Sequence, residues 1–107
     1  MSVQEVIHKQ VTENPVVLYM KGTPQFPQCG FSAAAVEVLK ACGMTRFHSV
    51  NVLADPEIRQ GIKEYANWPT VPQLYVKGRF VGGSDIMREM YQSGELQTIL
   101  EELKAPR

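Results

Sequence analysis

The chain predicts an α/β fold: a four-stranded mixed sheet flanked by helices in the order αβαβαββαα. Three observations carry that prediction. Short apolar runs rich in β-branched and aromatic residues alternate with segments of helical periodicity, which implies crossover helices and a parallel strand pair. Lys77-Gly78, set between two such runs, is a hairpin turn and adds antiparallel strands. The 107 residues suffice for one core, and residues 1–107 read as a single domain with no repeat, low-complexity tract or linker.

Ser2 and Glu5 form a capping box, and Val3, Val6, Ile7 and Val11 recur at helical spacing until Asn14-Pro15 ends the first helix. "VVLYM" (16–20) is continuously apolar, as a strand covered on both faces should be. "FSAAAVEVLKAC" (31–42) consists largely of good helix formers and stops at Gly43, a natural residue just past a helix end. "RFHSVNV" (46–52) alternates, with Phe47, Val50 and Val52 apolar, and predicts the second strand. Asp55-Pro56-Glu57 supplies an N-cap, a first-position proline and a first-turn acid, and Ile58, Ile62, Tyr65 and Ala66 continue the stripe of a third helix. "QLYVKGRFV" (73–81) is the hairpin. Gly82-Gly83 ends it, Ser84 or Asp85 caps "IMREMYQ", and Ser93 opens a last helix with Leu96, Ile99, Leu100 and Leu103 on one side.

With 44% hydrophobic and 21% charged residues the composition is that of a soluble globular protein. Eleven basic residues balance eleven acidic ones and are scattered along the chain, so nothing draws it to phosphate backbones and nucleic acid is not an expected partner. No run is long enough to span a membrane, and "MSVQEVIHKQ" carries Glu5 in place of a signal-peptide core. The expected location is the cytoplasm, where two cysteines are more often reactive or incidental than a structural disulfide.

Cys29 falls at or just before the start of the second predicted helix, where unpaired amides and the helix dipole favour an anion. Lys21, after the first strand, shares that sheet edge and adds positive charge, and in α/β domains this edge is where ligands bind. The competing reading is a cysteine that merely packs. Cys42 is excluded as its disulfide partner: thirteen helical residues span roughly 20 Å, whereas a disulfide tolerates about 7 Å. Ser32 stands where a second redox cysteine would be, so any disulfide at Cys29 requires another molecule. The loop 22–28, with Pro24 and Pro27, exceeds the usual connection of about two to six residues, and reads either as functional or as a tolerated surface insertion. His8 and His48 are placed beside Cys29 by no motif, which weighs against a Cys-His hydrolase.

"KGTPQFPQCGFS", "WPTVPQLYVKG" and "VGGSD", in that order, resemble the monothiol glutaredoxins, whose hallmark is Cys-Gly-Phe-Ser in place of a Cys-x-x-Cys pair. The resemblance runs from Val3 to Leu103. It implies a thioredoxin-like fold, glutathione binding and, in many members, a [2Fe-2S] cluster assembled between two subunits. Such a cluster takes four thiolate-type ligands; one usable cysteine per chain gives a homodimer two, and two glutathione thiols supply the rest. The resemblance gives Lys21 and Arg59 to the glycyl carboxylate of glutathione, a role their charge suits, though Arg59 alone is equally an ordinary solvated charge. It makes Thr70-Val71-Pro72 a cis-proline turn whose Val71 backbone pairs with an extended peptide. Unaided by it, Pro69 and Pro72 are loop punctuation and Trp68 a core or rim aromatic. Gly82-Gly83 lets the chain approach a ligand, the amides of Ser84 and Asp85 receive the γ-glutamyl carboxylate, and the Asp85 carboxylate meets the ligand's ammonium; Asp85 is equally a helix cap. Many family members carry a cysteine where this chain has Ser84, so an intramolecular disulfide cycle is closed to it.

The function implied first is an iron–sulfur carrier that takes a cluster from a scaffold protein and passes it to acceptors, with BolA-like proteins as further partners. The second is a glutathione-dependent thiol-disulfide oxidoreductase with Cys29 as nucleophile. Both use nearly the same residues. A module without chemistry is disfavoured by the coincidence of Lys21, Cys29, Val71-Pro72 and Asp85.

Overall fold

The computed structural model describes residues 1–104. Its elements are α1 (Val3–Glu13), β1 (Val16–Met20), α2 (Gly30–Ala41), β2 (His48–Asn51), α3 (Pro56–Tyr65), β3 (Gln73–Val76), β4 (Arg79–Gly82), α4 (Ser84–Ser93) and α5 (Glu95–Lys104). The strands lie in the order β2-β1-β3-β4. β1 runs parallel to β2 and antiparallel to β3, and β3 and β4 form the expected hairpin. Its two turn residues, Lys77 (φ 53°) and Gly78 (φ 79°), both take the left-handed backbone that a tight two-residue hairpin demands.

β1 explains why the sheet has two cores. All five of its residues are buried, and their period-two alternation divides them between layers. Val16, Leu18 and Met20 face α2, α4 and α5, packing with Leu39, Met87, Leu96 and Leu100. Val17 and Tyr19 face α1 and α3, packing with Ile7, Val11, Ile58 and Ile62. The helices therefore sandwich the sheet, and the mouths of β1 and β3 open along one edge.

Local chemistry sets the helix limits. Ser2 and Glu5 close the capping box reciprocally, at 3.2 and 2.9 Å. Asp55 accepts the amides of Glu57 and Ile58, and Pro56 opens α3. α2 ends in a Schellman motif: the Met44 amide donates to Leu39 O and the Gly43 amide to Lys40 O, each at 2.9 Å, while Leu39 and Met44 meet in the core.

Four expectations change. The second helix begins at Gly30 rather than Phe31, with Cys29 as its N-cap. The second strand covers only His48–Asn51, and its apolar positions do not share a face: Phe47 joins the α2 side, Val50 and Val52 the α1 side. Neither Ser84 nor Asp85 is a cap; Gly83 is the N-cap of α4 and both are helical. Ser93 ends α4 instead of opening α5, because Gly94 (φ 85°) turns left-handed there. The Ser93 hydroxyl serves both sides of the break, donating to Met90 O and accepting the Glu95 amide.

Candidate functional site

At the carboxyl end of β1 the starts of α2 and α4, one side of α3 and the loop before β3 enclose an open cleft of about 390 Å³. Lys21, Cys29, Arg59, Val71, Ser84 and Asp85 all line it, so the structure brings together every site residue expected from the sequence.

Cys29 occupies the N-cap position, half-buried, with extended backbone and a side chain that closes no capping bond. The amide of Ser32, more than any other group, holds its thiol below the ordinary range. Burial opposes this and ranks second to that amide, and the Phe31 amide, Lys21 and the Ser32 hydroxyl each add a lesser lowering. Ser32 is fully buried, and its Oγ accepts the Lys21 amide at 3.0 Å. The hydroxyl also helps hold the Cys29 thiol down, as the least of these contributions. The serine thus does more than replace a thiol: it pins the end of β1 to the start of α2 and stabilises the anion between them.

The long loop before Cys29 is built, not slack. Thr23 and Phe26 exchange backbone hydrogen bonds at 3.2 and 3.0 Å, Gln28 donates to Lys21 O at 2.9 Å, and Gly22 bridges Pro27. Asn51 Oδ1, from the end of β2, accepts the Gly22 amide at 2.9 Å. Gly22 is required here, since at φ 88° a Cβ would lie 2.5 Å from Phe26 O. The loop leaves Phe26 and the helix start leaves Phe31 exposed, at 75% and 62%, and Phe31 lines the cleft.

Across the cleft, Val71-Pro72 is a cis peptide, as expected. Among the described residues the Val71 backbone amide and carbonyl have no hydrogen-bond partner. Gly83 runs close beside this turn: a Cβ there would meet Pro72 O at 3.3 Å, a tight contact. As at α2, no side chain caps α4. α1 and α3 start with side-chain caps, whereas the two helix starts at the cleft have none and keep their first amides available to an anion.

Three cations border the same space. Lys63, one helical turn beyond Arg59, joins Lys21 and Arg59, and among the described residues none of the three has an ion-pair partner. Lys63 was readable in principle, because the i, i+4 spacing from Arg59 places it on the same face. Trp68 also lines the cleft, neither simple core nor bare rim: it packs on Phe80 at 5.5 Å between ring centres, and its buried indole N–H has no hydrogen-bond partner among the described residues. Cys42 sits at the other end of α2, 4% exposed, and neither cysteine is in a disulfide.

Residues 16–81 match the family model for glutaredoxin. The chain is 56% identical over 101 residues to glutaredoxin 4 of Escherichia coli (strain K12), covering 94% of this chain and 87% of that one. It is 61% identical over 95 residues to a monothiol glutaredoxin of Synechocystis sp. described as ycf64-like, covering 89% of this chain and 88% of the relative. The chain belongs to the monothiol glutaredoxins. The solution structure of reduced poplar apo GrxS14 superposes on this glutaredoxin with a TM-score of 0.79 at 52% identity, covering 94% of this chain and 91% of the poplar one. The thioredoxin-like glutaredoxin fold expected from the sequence is thereby established. No helix of the described residues is long and apolar enough to cross a membrane. Chemically, this glutaredoxin offers one sulfur whose pKa is held down, a backbone segment with open hydrogen-bonding groups, three cations and an uncapped helix start around one cleft.

Proposed function

We propose that this glutaredoxin is an iron–sulfur carrier whose cargo, a [2Fe-2S] cluster, is held between two chains by Cys29 of each and by the thiols of two bound glutathiones. The observation that carries this reading is one accessible, acidified sulfur with no companion donors. Among the described residues no group of three or more His, Cys, Asp or Glu side chains is placed to hold a metal. A cluster needs four ligands, so one chain cannot satisfy it, and two chains with two external thiols can. The residues fit the group only in that shared form. The glycyl carboxylate of glutathione lies against Lys21, Arg59 and Lys63, and its extended backbone pairs with Val71. Its γ-glutamyl carboxylate takes the amides of Ser84 and Asp85 at the uncapped start of α4, and its ammonium meets the Asp85 side chain. Because half of the ligands are exchangeable small molecules, the cargo can be passed on. The donor is a cluster scaffold, the recipients are acceptor proteins, and a BolA-like protein replaces one chain in a mixed complex; the setting is the cytoplasm.

The lowered thiol pKa favours a second reading, glutathione-dependent thiol-disulfide exchange. The Cys29 thiolate attacks the glutathione sulfur of a mixed disulfide and releases the target thiol. A second glutathione thiolate then reduces the Cys29–glutathione disulfide, leaving oxidised glutathione.

Anaerobic reconstitution with ferrous iron, sulfide and glutathione, followed by visible absorbance and size measurement, separates the two. The carrier gives a coloured dimer that bleaches when glutathione is removed. A colourless monomer that rapidly reduces glutathionylated substrates overturns the carrier reading in favour of exchange.

A further inference from the structure

We propose that Gln73 is a positioning residue of the cleft: its buried amide grips the loop that carries Val71 and sets where the Val71 backbone meets an extended peptide. Gln73 is fully buried at the start of β3, an unusual place for a glutamine. Its Nε2 donates to Trp68 O at 3.3 Å and to Thr70 O at 3.1 Å, so both donor hydrogens go to one loop. Its Oε1 accepts the Tyr75 hydroxyl at 2.9 Å. Tyr75 is 1% exposed, and because the Trp68 and Thr70 carbonyls can only accept, the NH2 of Gln73 must face the loop and its oxygen is left for the Tyr75 hydroxyl. The amide is thereby locked in one orientation.

The loop depends on this grip. Pro69 and Pro72 have no N–H, and among the described residues no backbone hydrogen bond closes a turn within residues 69–72. The Trp68 amide is already committed to Lys63 O at 2.9 Å. Gln73 supplies the inward donors that the loop lacks, and fixes the two carbonyls that flank Pro69, immediately before Val71. Nothing in this network touches Cys29, so the inference separates loop geometry from sulfur chemistry.

The inference rests on the reading that the cleft holds glutathione. The test is calorimetric titration of reduced glutathione into the reduced protein, wild type, Gln73→Met and Gln73→Glu, at a temperature where all are folded, with the pH dependence of Cys29 alkylation measured alongside. Gln73→Met fills the space without donors and is expected to weaken glutathione binding about ten-fold or more, leaving the alkylation inflection where it is in the wild type. Gln73→Glu is expected to bind weakly near neutral pH and to recover relative to the wild type as pH falls, because a protonated carboxyl restores one donor. A purely space-filling role predicts no such recovery. If Gln73→Met fails to fold, Tyr75→Phe, which removes the donor to Gln73 Oε1 and leaves that buried oxygen unpaired, is expected to weaken binding a few-fold. Equal glutathione affinity in wild type and the folded variant overturns the positioning role while leaving the glutathione reading intact; no binding by the wild type overturns both.

Discussion

The two ends of α2 carry one cysteine each, and they place sulfur in opposite circumstances. At the first end Cys29 is half-buried at an N-cap, with the amides of Ser32 and Phe31 and the charge of Lys21 favouring an anion. At the second end Cys42 is the C-cap, 4% exposed, packed among Leu39, Met44 and other core side chains, where helix carbonyls converge. The helix dipole favours negative charge at one end and opposes it at the other. Identical side chains on one rigid element therefore differ in reactivity because of backbone polarity and burial. Reactivity here is a property of position.

The largest effect should come from deleting the exposed sulfur. Cys29→Ser is expected to reduce cluster uptake and thiol exchange to background, measured by visible absorbance and by turnover of a glutathionylated peptide. Next, Ser32→Ala removes the hydroxyl that accepts the Lys21 amide and helps hold the Cys29 thiol down. The alkylation inflection of Cys29 should move toward that of an ordinary thiol, by less than if the Ser32 amide itself could be removed, since that amide contributes more. Lost binding of the Lys21 amide should also lower the unfolding midpoint, by about 1 kcal/mol in stability.

A pH experiment sharpens the same contrast. Folding lowers the pKa of Cys29. The folded chain thus releases its thiol proton at a pH where the unfolded chain still holds it, and stability contributed by the thiolate rises with pH in that interval. It is fully present above the ordinary thiol pKa of about 8.5 and is lost as pH falls through the folded value. The stability difference between wild type and Cys29→Ser, followed by denaturant unfolding, should grow with rising pH across this window.

The smallest functional effect belongs to the buried end. Cys42→Ser places a hydroxyl in an apolar layer and is expected to cost about 1–2 kcal/mol of stability. Cluster uptake and exchange should stay close to wild type. A large loss of either in a folded Cys42→Ser protein would remove the distinction between the two ends.

Sequence made the framework legible wherever one local interaction decides the structure. The Ser2–Glu5 box, the doubly covered β1, Asp55-Pro56 and the Lys77-Gly78 turn all have that character. It failed where two neighbours compete for one task. Ser93 is a good cap by type, yet Gly94 took the left-handed turn and made Ser93 the end of α4. Ser84 and Asp85 looked like caps, but Gly83, pressed against the Pro72 carbonyl, holds that position and frees both amides for the cleft. The site was legible as a set of residues because motif resemblance named six of them. Lys63 was absent from that set although helical spacing points to it. Ser32 and Gln73 were invisible in their working roles, since both depend on partners distant in the chain or locked by burial: Lys21 for one, Tyr75 and the Trp68 and Thr70 carbonyls for the other.

The most direct measurement is residue-resolved alkylation of the native reduced protein with iodoacetamide as a function of pH, quantified by mass spectrometry. Cys29 should react with an inflection below that of an ordinary thiol, and Cys42 should stay unmodified until the chain unfolds. An inflection for Cys29 at or above the ordinary value, or modification of Cys42 at a comparable rate in the folded protein, would contradict the account.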